Sequence, residues 1–310
     1  MFTFTSMRRT VSALSGAALL AGGALLSSTA SAQQTDFSSV EADPAIWHLS
    51  DTDSDVYIFG TFHILPPSLD WRSEELRALI ASTDMLVLEA DVHSPESQAA
   101  MQPLVMQYGL NPSGVTLSSL LSDSANASLA EIAPTVGFAP AMLEPMRPWL
   151  AQIALAVGQM QALGLDPNAG VEMVLLGMVE GREMRMGYFE TAEQQLGFLA
   201  GMPDDVQARA FEQGLEDMAE LPTMLDTLVT AWAVGDMETI DSEINASMRE
   251  DAPEAYQVMI VQRNENWIPQ IAEIMDGEGT VFIAVGAAHL PGENGVIELL
   301  REQGYEVSRQ

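Results

Sequence analysis

The 310-residue chain carries 44 acidic side chains against 12 basic ones, a formal charge of −32 with its four histidines neutral. Such a charge repels phosphates and anionic lipid headgroups, whose binding depends on neutralisation by cations, and so excludes nucleic acid and membrane surfaces as partners. The absence of cysteine excludes disulfides and a lipid-modified N-terminal cysteine.

Residues 1–32 read as a secretory leader: Arg8-Arg9 form a positive start, Val11 to Leu26 an apolar stretch of small residues, and Ala30-Ser31-Ala32 a cleavage site. Cleavage after Ala32 leaves about 278 residues, enough for one large domain or two small ones. It also leaves 10 arginines and no lysine against all 44 carboxylates, a net charge of −34. No later run reaches the roughly 18 apolar residues of a spanning helix, which predicts an exported, periplasmic or extracellular protein without a stable membrane anchor.

After a polar lead-in over residues 33–44, Ala45 to His48 and Val56 to Phe59 read as paired strands joined by Asp51-Thr52-Asp53-Ser54-Asp55. That acidic stretch is a turn rather than a calcium loop, because Val56 stands at the glycine position and Phe62 at the glutamate position. Ser73 caps a helix to Ala81, and Met85 to Glu89 is a buried strand ending in a carboxylate. Residues 93–272 are mainly helical, with apolar residues at three- and four-residue spacing and repeated prolines. One strand, Arg185 to Phe189, interrupts them and leads into Glu190-Thr191. Strand Thr280 to Val285, helix Asn294 to Gln303 and strand Tyr305 to Ser308 close the chain.

One pattern occurs near both ends. Val56-Tyr57-Ile58-Phe59-Gly60-Thr61-Phe62-His63 and Val281-Phe282-Ile283-Ala284-Val285-Gly286-Ala287-Ala288-His289 are each an apolar strand followed by Gly-x-x-His, and each continues into a helix and a strand. The expected architecture is α/β: a mixed sheet built from these duplicated units, interrupted by the helical segment. Gly60 and Gly286 shape the two turns, and sheet edges of this kind commonly carry sites.

Two chemistries fit the residues so gathered. His63, His289 and Glu89 can hold a divalent metal ion, which lowers the pKa of bound water and polarises a carbonyl; Glu190 is then a fourth ligand or the general base. Without a metal, His63 is a base oriented by Glu89 or Glu190, and Arg263 stabilises developing negative charge. Each residue also has a plain structural reading: Glu190 as the cap of the next helix, Arg263 as an ion-pair partner, Asn264 and Trp267 as packing, His48 as a strand residue and His93 as a loop residue near the site.

Several motifs in order carry a resemblance across nearly the whole chain from Ala45 onward: Gly60-Thr61-x-His63 with Pro66, Leu88-Glu89, Pro148-Trp149, Gly170 with Glu172, Glu190-Thr191 with Gln194, Ala231-Trp232 with Gly235-Asp236, Arg263-Asn264 with Trp267, and Val285-Gly286-x-x-His289-Leu290 with Gly292. In these the chain resembles the TraB/PrgY/GumN family, in particular its GumN-type bacterial branch, whose animal relatives are the TIKI proteases. The resemblance implies a metal-dependent hydrolase, supported in the animal relatives by manganese or cobalt, with His63, His289 and Glu89 as metal ligands; the expected cofactor is manganese, cobalt or zinc and the expected substrate a peptide or other amide or ester bond. Beside these, Glu190 and Arg263 are the expected catalytic residues, and Gln194, Asn264 and Trp267 the expected substrate contacts. Family members that sequester peptides, and a distant likeness to erythromycin esterases, keep a binding protein and a metal-free esterase as alternatives. Glu172 stands where many members carry aspartate.

Overall fold

The computed structural model describes residues 36–310, so the expected leader lies outside the described residues. Six strands form one mixed sheet: β1 (Ile46–Ser50), β2 (Ser54–Thr61), β3 (Met85–Ala90), β4 (Arg185–Glu190), β5 (Gly279–Gly286) and β6 (Ser308–Arg309), in the order β4-β3-β5-β2-β1-β6. β2, β5, β3 and β4 run parallel, while β1 is antiparallel to both β2 and β6.

The central strands read as unbroken apolar runs because both faces of the sheet are covered. Phe59, Leu86, Leu88, Phe282 and Ala284 face one side and pack with Leu76 and Ile80 of the helix Glu74–Ser82. Val56, Ile58, Val87, Val281, Ile283 and Val285 face the other side, with Ile297 and Leu300 of the helix Val296–Glu302. The chain therefore leaves β2 and β5, which are neighbours, toward opposite faces, and opens a crevice beyond their carboxyl ends.

The two strand–Gly-x-x-His–helix–strand units are present, but their last strands diverge. β3 is two places from β2, across β5. The equivalent place on the other side is filled by β1, so β6 is displaced to the sheet edge and pairs only through Ser308 and Arg309. The strand expected over Tyr305 to Ser308 is thus shorter and later. Gly304, at φ +93°, turns the chain, and Val307 O accepts from Arg301 Nη2 at 2.9 Å.

Helices fill most of 93–272, as their apolar spacing predicts. The helix Leu221–Ala233 lays Trp232 against Phe59, Phe62 and Trp71. Trp232 Nε1 donates to the Gly60 carbonyl at 2.8 Å in a buried position, which fixes the last turn of β2 before His63. No helix among the described residues is long and apolar enough to cross a membrane. Trp232→Phe keeps the ring packing but leaves that carbonyl unpaired. It is expected to cost about 1–3 kcal/mol in urea denaturation; an unchanged midpoint would remove the role assigned to this bond.

Candidate active site

β2 and β5 pair in register, with Gly60 opposite Val285 and Thr61 opposite Gly286. A Cβ on Gly60 would meet Ala287 at 3.1 Å and one on Gly286 would meet Glu89 Oε1 at 3.0 Å, so glycine is what lets the two turns approach each other and β3. His63, Glu89, Arg263 and His289 consequently line one cavity of about 90 Å³.

His63 is placed by the segment Asp166–Glu172. Leu65 and Asp166 form a bridge, Val171 N donates to Phe62 O at 2.9 Å, and a Cβ on Gly170 would collide with the His63 carbonyl. This docking brings Glu172, in the first turn of the helix Val171–Val179, to His63: Nδ1 lies 2.8 Å from Glu172 Oε1. Thr61 Oγ1 donates to the same oxygen. Burial disfavours the imidazolium, but Glu172 more than offsets it and raises the pKa of His63 to about 9. Glu172 is held below its ordinary value by the same pairing, against burial. With Nδ1–H committed to Glu172, Nε2 has no hydrogen-bond partner among the described residues, and the side chain retains 20% of its exposure.

His289 has the opposite surroundings. The helix Gln262–Met275 follows a π-helical turn, Gln257–Val261, and carries Arg263, Asn264 and Trp267 inward. Arg263 can only donate, so its Nη1 contact to His289 Nε2 at 3.0 Å requires an unprotonated Nε2. The proton then sits on Nδ1, which donates to Asn264 Oδ1 at 2.6 Å. Asn264 Nδ2 donates in turn to His289 O and Asn294 O. Burial, reinforced by the Arg263 charge, lowers the pKa of His289 to about 3.

Every N–H of Arg263 is used. Nε donates to Glu190 Oε1 at 2.8 Å, Nη1 to Met259 O and His289, and Nη2 to Glu89 Oε2 at 2.5 Å and Glu190 Oε2 at 2.9 Å. Glu89 Oε1 accepts from Gly286 N at 2.6 Å, Trp267 Nε1 donates to Glu190 Oε1, and Gln195 Nε2 reaches both carboxylates. Burial opposes ionisation of Glu89, and Arg263 prevails, holding the carboxyl well below the usual carboxylate range.

The residues singled out in the sequence therefore separate into groups. His63, Glu89, Arg263 and His289 converge on the cavity. Glu190 neither caps the following helix, a role taken by Thr191, nor faces the cavity; it is a buried partner of Arg263. Asn264 and Trp267, expected at the substrate, are fully buried and hold His289, the indole lying 4.5 Å from the imidazole. Gln194 is exposed and closes a capping box with Thr191; its neighbour Gln195 is the glutamine that enters the network. His63 is oriented by Glu172 rather than by Glu89 or Glu190. The signal for this was the apolar helix 171–179, whose single acidic residue is buried. His93 borders a second cavity of about 20 Å³ beside His63, Glu172 and Gln195, and burial lowers its pKa. His48 pairs with Asp55 and stacks on Tyr57, away from the site.

The expected ligand set does not fit a chelated cation as folded. The lone pairs of His289 Nε2 and Glu89 Oε2 face Arg263, and His63 Nδ1 is bonded to Glu172. Among the described residues, no three histidine, aspartate or glutamate side chains are arranged to hold a metal ion.

A parallel-stranded α/β core with a buried ionic cluster at its crevice is the class this geometry defines. The TraB/PrgY/gumN family matches residues 45–309, and the chain belongs to that family. It is similar to the uncharacterized protein YbaP of Escherichia coli (strain K12), at 23% identity over 245 residues, 79% of this chain and 87% of that one. The YbaP protein of Shigella flexneri matches to the same extent. No solved structure matches the chain.

Arg263→Ala would strand Glu89 and Glu190 without their cation. The expected cost is about 3–5 kcal/mol in chemical denaturation. Adding Glu89→Gln and Glu190→Gln should return part of it, because the penalty lies in the unpaired charges. A triple variant less stable than Arg263→Ala alone would contradict that assignment.

Proposed function

We propose that this protein is an exported hydrolase of carboxylic ester or amide bonds in which His63, oriented by Glu172, activates water without a metal ion. The observation that carries this reading is the His63–Glu172 pair: one ring nitrogen is fixed by a buried carboxylate while the other has no partner among the described residues, on a side chain that lines the cavity. Glu172 sets the tautomer and stabilises the imidazolium that forms when His63 takes a proton from water. Arg263 has no donor left for a developing oxyanion, so its part is to hold Glu89, Glu190 and His289 in place.

The test uses the mature protein, treated with chelator, on p-nitrophenyl esters and on fluorogenic peptides. His63→Gln should lower the rate by about 10²–10⁴-fold, with its unfolding midpoint checked separately. Activity that survives this substitution would overturn the reading, as would binding without turnover, which would leave a peptide-sequestering protein.

The pH dependence has a definite sign. Glu172 favours the protonated ring, so at pH 7 only about one molecule in a hundred carries neutral His63, given a pKa of about 9. Rates should therefore rise with pH and level off above about 9. In Glu172→Gln the midpoint should move down toward 6.5, the ordinary histidine value. The stabilisation from this pair is complete below 6.5 and lost as pH rises through 9. A rate that falls across the alkaline range would assign His63 as an acid instead.

A second reading, with manganese, cobalt or zinc held by His63, Glu89 and His289, draws support from the convergence of those three side chains on one cavity. It requires Arg263 to leave His289 and Glu89. Calorimetry after chelator treatment separates the two: one tight site, lost in the His63→Ala/His289→Ala double variant, would favour the metal, and only weak binding shared by both proteins would favour the metal-free reading.

A further inference from the structure

Polar and apolar residues are segregated in the 90 Å³ cavity. Its polar end comes from the sheet and Arg263; its other walls include Met160 of the helix Pro148–Ala162, Leu225 and Leu228 of the helix Leu221–Ala233, and Ile244 of the π-helical segment Asp241–Ala246. All four are largely buried. At the polar end, the Thr61 hydroxyl is bonded to Glu172, Arg263 has spent five donors, and both nitrogens of His289 are engaged. The Glu89 carboxylate shares Arg263 with Glu190 and also accepts from Gly286 N. Of the side-chain nitrogens of the residues lining this cavity, His63 Nε2 is the one without a partner among the described residues, and the remaining walls offer no free cation to an anionic group.

We infer that the cavity is a specificity pocket for an uncharged, branched aliphatic group, such as an isobutyl group, attached directly to the carbonyl carbon of the scissile ester or amide. This rests on the hydrolase reading above and adds the substrate class to it. Size agrees: a dry cavity of about 150 Å³ accepts benzene, and this one is smaller, with room for about four carbons. Chemistry agrees as well, since an anionic group seated here would lose its water and find Arg263 already spent, and a cationic one would face walls that are mostly apolar. The protein's net charge opposes acidic substrates independently. The division of labour is that the sheet ends present the reacting side chains and the helical insertion selects the group beside them.

The experiment pairs binding with turnover. Isovaleramide, acetamide and succinamate are titrated into protein with labelled Ile, Leu and Met methyl groups, and p-nitrophenyl isovalerate is compared with p-nitrophenyl acetate. Isovaleramide should bind saturably and shift the Ile244 and Met160 methyls, with succinamate at least tenfold weaker. The isovalerate ester should be preferred over acetate by roughly 10–200-fold in kcat/KM, the range one to a few methylenes produce in an apolar pocket. Leu228→Trp and, independently, Ile244→Phe fill the cavity and should weaken isovaleramide at least tenfold and reduce the ester preference to under twofold, each with its unfolding midpoint measured. Binding that both variants leave intact, or succinamate binding as tightly as isovaleramide, would overturn the pocket. Isovaleramide bound at these methyls with no ester turned over would sink the hydrolase and keep the cavity's selectivity. Acetate hydrolysed through His63 with no preference for isovalerate would do the reverse.

Discussion

Arg263 is the constraint on which the rest of the site depends. Two buried carboxylates, Glu89 and Glu190, end neighbouring strands, and burying such groups is costly unless a cation lies between them. A guanidinium suits the place better than an ammonium, because its planar fork delivers five donors to fixed directions and an ammonium has only three. Here all five are consumed by two carboxylates, a carbonyl and an imidazole. Saturation has two consequences. It leaves Arg263 without a free donor for anything in the cavity it lines, and it forces His289 into one tautomer, which Asn264 then completes.

The two histidines show how far surroundings outweigh motif. Both follow Gly-x-x at the carboxyl end of a parallel strand, and the strands are adjacent and in register. One meets a carboxylate and is driven to hold a proton up to about pH 9; the other meets a guanidinium in a dry interior and releases its proton by about pH 3. Across the neutral range they therefore carry different charges within a single site. Titratable groups whose environments push their pKa values apart are a common mark of acid–base assignment. In this chain the mark falls on His63, the more exposed of the pair, and it is there that we place the chemistry.

Much of this arrangement was legible before the structure. The strand runs, the glycines at the turns and the convergence of His63, Glu89 and His289 follow from an apolar pattern that repeats at both ends and from the rule that such strands bury both faces. What the sequence hid was partner choice. Nothing in the spacing distinguishes Glu172 from Glu89 or Glu190 as the carboxylate for His63, because that depends on how Gly170 packs on the carbonyl of His63 across a hundred residues of chain. Gln194 and Gln195 differ by one helical step, about 100° of rotation, and only the docking of the helix Ala192–Ala200 turns the second inward. Asn264 and Trp267 look like recognition residues because they are polar-tipped and adjacent to an arginine. Burial converts both into supports, each spending its polar tip on a neighbour that would otherwise be unpaired.

The order of strands also bears on how the site comes into being. β2 and β5, the pair that joins the two Gly-x-x-His turns, come from opposite ends of the chain, and the helical segment lies between them. Closing a loop of that length costs more entropy than any local contact recovers, so these strands gain from pairing only once the intervening helices have condensed enough to bring them together. The helices must in turn pack against the sheet face that carries Phe59, Leu88 and Phe282. Sheet and insertion thus stabilise each other, and neither half of the Gly-x-x-His duplication holds a complete site alone. His63 brings the free nitrogen, the insertion brings Glu172, Gln195, Arg263 and the apolar wall, and the C-terminal strand brings His289 together with Gly286, whose amide anchors Glu89. The two Gly-x-x-His units are thus held by unequal partners in an asymmetric arrangement, with one histidine locked inside the network and the other left at its edge.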